Sequence, residues 1–75
     1  MGVEGNMFSK ELRFAGHAKC FLINRLGGDG WEVREEQDQH VVKQVLYTDW
    51  HRVERAMGLF TLEIGQLESQ GWVSA

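Results

Sequence analysis

His17 and Cys20 stand three apart, the spacing at which two side chains on one helix face can hold a metal ion from the same side. A stable centre needs a third or fourth ligand, and no other His–Cys cluster completes this one, so no metal site is expected. His51 is a second candidate: an imidazole titrates near neutral pH and can act as a general base. At a helix start it is also an ordinary solvated residue within reach of Glu54 or Arg55. Glu35, Glu36 and Asp38 form a carboxylate cluster, although such runs in hairpin turns are normally hydrated. Gly27-Gly28-Asp29-Gly30 has a phosphate loop's glycines without its Lys-Ser/Thr, and it precedes a strand instead of a helix. Ser9, Ser69 and Ser74 lack the context of an activated nucleophile. These residues give no catalytic constellation and imply no cofactor.

The element that must position whatever site exists is the stretch from Thr48 to Trp72. Trp50, Val53, Met57, Phe60, Ile64 and Leu67 recur at alternating steps of three and four, the period of one apolar stripe on an α-helix. Thr48 or Asp49 can cap its start, and Gly71 can close its end in the left-handed conformation. Burial of each apolar stripe residue contributes roughly 1.5–3 kcal/mol of transfer free energy before entropy is counted.

The rest of the chain is arranged around that helix. Residues 1–6 read as a loose, Gly-rich leader, and residues 7–75 as a single domain. Phe8, Leu12 and Phe14 alternate with polar residues as in a strand with one buried face. Ala18, Phe21, Leu22 and Leu26 fall on one side of a second helix, opened by Gly16-His17 and stopped by Gly27, Gly28 and Gly30. Trp31 and Val33 begin another strand, and Val41 to Tyr47 a further one, rich in β-branched and aromatic residues. Ile23, Leu26, Gly30 and Trp31 repeat the spacing of Ile64, Leu67, Gly71 and Trp72, so Val73 to Ala75 read as the stub of a last strand. The expected fold is α+β: a small antiparallel sheet packed on two helices in β-α-β-β-α(-β) order, a truncated ferredoxin-like plait.

The long helix also carries a second apolar side. At 100° per residue, Leu59 and Leu62 lie nearly opposite the main stripe with Arg55 and Gln66 beside them, and Gly58, Thr61 and Gly65 form a strip of small residues. Two glycines inside a helix cost about 1 kcal/mol each relative to Ala, a cost easier to understand where another backbone approaches. Arg52 and Arg55 near the start and Glu63 and Glu68 near the end run against the helix dipole, and an antiparallel copy would set them opposite one another. Arg55, Gly58, Leu59, Leu62, Gly65 and Gln66 are therefore the expected interaction surface, and a two-fold homodimer or another protein the expected partner. An open sheet edge would offer a dimer by strand pairing instead.

Gly30-Trp31, Val42-Lys43-Gln44, and Asp49-Trp50 with Arg52 and a long helix resemble the central part of the pterin-4a-carbinolamine dehydratases, over residues 26–67. The resemblance implies a scaffold of helix, Gly-Trp strand, strand and long helix, with association through helices or sheet edges. That family's dehydration chemistry uses a His-His-Pro motif; Ser69-Gln70-Gly71 stands in its place, so neither catalytic histidine carries over.

Composition bounds the remaining classes. A net charge of -3 with scattered basic residues argues against a nucleic-acid surface. A single cysteine permits no intrachain disulfide. No stretch approaches the ~18 apolar residues that cross a bilayer, and a soluble cytoplasmic protein is expected. Two functions stay open: a small non-catalytic protein acting through association, or a small-molecule site, enzymatic or carrier-like, in a cleft lined by tryptophans, Trp50 among them, with His51 or His40 as its polar group.

Overall fold

A computed structural model describes residues 3–75 of the chain. Five strands and one helix follow in the order β1 (Val3–Phe14), β2 (His17–Leu26), β3 (Gly30–Gln37), β4 (His40–Tyr47), α1 (Trp50–Ser69) and β5 (Val73–Ser74). The strands form one sheet in the order β4-β3-β2-β1-β5, with every neighbouring pair antiparallel. Helix α1 covers one face of this meander.

The expected second helix is a strand, and the two-helix plait order is corrected to β-β-β-β-α-β. The run Cys20-Phe21-Leu22-Ile23 is apolar on both of a strand's sides, so a helical and an extended reading fit it equally. In the sheet Phe21 and Ile23 are completely buried beneath α1, whereas Cys20 and Leu22 are half-buried on the opposite face. The turn before β2 decides the matter. Ala15 and Gly16 both have positive φ (51° and 81°), which makes a two-residue turn whose twist matches the strands it joins. Phe14 and His17 then pair across it, and the β1–β2 ladder continues back to Val3–Leu26. Residues 3–6, read from sequence as the end of a leader, pair in that ladder; Met1 and Gly2 lie outside the described residues.

The helix itself follows its sequence signals. The Asp49 carboxylate accepts a hydrogen bond from the His51 N–H at 2.9 Å and caps the first turn. At the other end Gly71 sits at φ 107°, its N–H donating to the Glu68 carbonyl and the Trp72 N–H to that of Leu67, so the last carbonyls are satisfied. The chain then drops Trp72 beside Phe14, ring centroids 5.7 Å apart, and β5 pairs with β1 at Leu12 and Arg13. Val53, Phe60 and Ile64 of α1 meet Leu12, Phe21, Ile23 and Val33 in one core. Phe60 lies 5.0 Å from Phe21 edge to face and 6.2 Å from Phe8.

The face away from the helix is held by polar ladders instead. Asn24 and Glu32 are buried there: Asn6 donates to Asn24, Asn24 to Glu32, and Gln44 to the other Glu32 oxygen. One hydrogen-bonded row thus ties β1, β2, β3 and β4 together across the sheet.

Candidate functional site

The buried residues beneath the α1 stripe come from β1, β2 and β3, and β4 adds only the partly buried Tyr47 to that core. An open groove of about 870 Å³ results between α1 and the β3–β4 half of the sheet. Its floor is Val33 and Glu35 of β3 with Lys43 and Tyr47 of β4, and its wall is the α1 side carrying Arg52, Arg55, Leu59, Leu62, Glu63 and Gln66. Four of the residues expected from sequence to form an interaction surface, Arg55, Leu59, Leu62 and Gln66, therefore meet at one place. Leu59 and Leu62 are 56% and 66% exposed, which is unusual for two leucines on one helix side of a folded domain.

Gly58 and Gly65 do not line the groove, and a Cβ at either position would meet no atom within 4 Å. Among the described residues nothing requires a glycine there. Gly58→Ala and Gly65→Ala are expected to raise stability by about 0.5–1 kcal/mol each, read as a higher urea midpoint. Should a second backbone pack on that strip, the same variants would weaken association while stabilising the isolated chain.

The groove's electrostatics are mixed. Among the described residues Lys43, Arg52 and Arg55 have no carboxylate within 4.0 Å, while Glu63 lies 3.9 Å from the Lys19 ammonium. Burial pushes the Glu35 carboxyl above its ordinary value, and the nearby Glu63 charge adds to the rise; Lys19 and Lys43 act against it. Loose cations at the start of α1 and crowded carboxylates toward its end leave the groove unbalanced along its length.

The proposed cleft residues do not converge. His51 lines the groove mouth, 3.6 Å from Glu54 and largely exposed. Trp50 turns toward Trp31 instead, with centroids 5.4 Å apart. His40 lies at the hairpin end of β4, about 23 Å of strand from the Tyr47 end where α1 begins. His17 and Cys20 face opposite sides of β2, because an odd spacing in a strand separates what it unites in a helix. His17 contacts Asp38 at 3.0 Å, and hydrogen bonds from the Ala18 N–H and His17 hold the Asp38 carboxyl below its usual value. The Cys20 thiol is raised by burial and by Glu11 and Glu36, the opposite of an activated nucleophile. Among the described residues no three metal-ligating groups come together.

Sequence reasoning missed Lys43 and Tyr47 as site residues, together with Glu35 as groove floor. The alternation Lys43, Val45, Tyr47 marks one strand face, but only the strand order reveals that this face lies beside the helix. No helix among the described residues is long and apolar enough to cross a membrane. No protein-family model, no curated protein and no solved structure matches the chain.

Proposed function

We propose that this protein acts by association without chemistry of its own, and that a second copy of the chain occupies the side formed by α1 and β4. The observation that carries the reading is the exposed Leu59–Leu62 ridge at the groove rim, bordered by Arg52 and Arg55, which have no carboxylate within 4.0 Å among the described residues. Burying one leucine contributes roughly 1.5–3 kcal/mol, so two from each copy form a sufficient nucleus for an interface. The cations at the start of α1 and Glu63 toward its end suit a two-fold partner, which presents the same charges in reverse order. Sedimentation velocity of the Leu59→Asp, Leu62→Asp double variant tests this: the dimer is expected to weaken by at least a hundredfold. An assembly state identical to that of the unaltered chain would remove α1 from the interface.

A second reading has the groove's size in its favour, since about 870 Å³ falls in the range of small-molecule sites. It places a planar metabolite, a pterin among them, over Tyr47 with His51 at the mouth. Intrinsic fluorescence titrated with pterins and other planar metabolites tests it; a flat response across the set removes it.

A further inference from the structure

We infer that the second copy joins through the outer edge of β4, making one continuous ten-stranded antiparallel sheet centred on Val45. The inference rests on the association reading above and names its surface. Among the described residues β4 pairs with β3 alone, so its other side presents a row of backbone N–H and C=O groups without strand partners. The strand is eight residues long, and Val41, Val42 and Leu46 on it are 51%, 55% and 62% exposed. Long, apolar, unpaired edges are templates for strand addition.

The opposite side of the sheet is handled differently. There β5 covers β1 at Leu12 and Arg13, and a hydrogen bond from the Ala75 N–H to the Glu11 carbonyl extends that cover. Among the described residues strand β4 has no such strap.

The register follows from the strand's own irregularity. A bulge between the Glu36–Val41 and Glu35–Lys43 pairs leaves Lys43 to Tyr47 as the regular part of the edge, and Val45 is its middle residue. A two-fold axis perpendicular to the sheet requires residue i of one copy to face a residue on the same side of the other. Centred at Val45, the rungs are Val45 with Val45, Gln44 with Leu46, and Lys43 with Tyr47. Centred at Lys43, the two ammonium groups would face each other directly, which is unfavourable in a cross-strand pair. In the Val45 register Lys43 instead faces Tyr47 of the second copy and keeps Glu35 as its cross-strand neighbour within its own chain, so the two ammonium groups stay apart. The two α1 helices then lie on the same face of the joined sheet, with the Leu59–Leu62 sides of both turned toward the two-fold axis.

Cysteine cross-linking tests the register. In a Cys20→Ser background, Val45→Cys places two thiols on the axis at the separation of directly opposed strand residues, within disulfide reach. Oxidation with copper-phenanthroline is expected to convert most of Val45→Cys to a covalent dimer. Ser69→Cys in the same background, on the last turn of α1, is expected to stay largely uncrosslinked, and far-UV circular dichroism reports whether each variant is folded. A dimeric mass for the unaltered chain with no cross-link in folded Val45→Cys would overturn β4 pairing and leave association through the helix standing. A monomeric mass for the unaltered chain would overturn both.

Discussion

Phe60→Ala is expected to remove about 3–5 kcal/mol, most of what holds a domain of this size together. Phe60 is 3% exposed and is the one helix residue in ring contact with both β1 and β2, through Phe8 and Phe21. Its loss leaves a cavity at the point where the helix grips the sheet. Neighbours cannot collapse into it easily, since Leu12, Phe21 and Val53 already fill the space around it. Urea denaturation followed by far-UV circular dichroism measures the effect. A Phe21→Ala, Phe60→Ala cycle should add a coupling of about 0.5–1.5 kcal/mol for the edge-to-face pair. A loss below about 1 kcal/mol for Phe60→Ala would mean that the helix is seated elsewhere.

Glu32→Ala should cost about 1–3 kcal/mol at neutral pH and progressively less in acid. Burial works to raise the Glu32 carboxyl, but hydrogen bonds from Gln44 and Asn24 and the Arg34 charge outweigh it and hold the group below its ordinary value. A carboxylate depressed in the folded chain contributes stability above its unfolded pKa, and that contribution fades as pH falls through the folded one. Glu35 is shifted the opposite way, so it gains nothing from ionisation and loses nothing in acid. The gap between unaltered chain and variant should therefore close on the acid side of the normal carboxylate range. A gap that stays constant from neutral pH into acid would show that the Glu32 charge is not what the ladder uses. Removing the side chain also orphans the buried Asn24 amide, which retains only its bond from Asn6.

What was legible in the sequence was local. The α1 stripe, its cap at Thr48 or Asp49 and its Gly71 closure are signals within a few residues of the structure they specify; Asp49 is the cap, Gly71 closes the helix, and the stripe is buried at Val53, Phe60 and Ile64 while Trp50 is exposed. The same is true of β3, of β4 and of the short β5, each announced by its own alternation or by the Gly-Trp turn before it. Strand β2 was not legible because Cys20 to Ile23 is apolar at every position, and because Ala15 is an unlikely residue for a turn that needs positive φ. Glycine or asparagine there would have announced the hairpin. The groove was hidden for another reason. Arg55, Leu59, Leu62 and Gln66 could be grouped from helix geometry alone, whereas Glu35, Lys43 and Tyr47 join them only through a strand order fixed by distant pairings. His40 is carried to the far end of β4, while the adjacent Trp50 and His51 turn to different neighbours, Trp50 to Trp31 and His51 to the groove mouth.

The central claim is that two copies of the chain associate on the α1–β4 side. Light scattering on a sizing column over a range of micromolar concentrations tests it most directly. The account predicts a mass of about 17 kDa, twice the 8.6 kDa of one chain. A mass of one chain at every concentration would contradict it and leave the exposed leucines and the β4 edge without a self-partner.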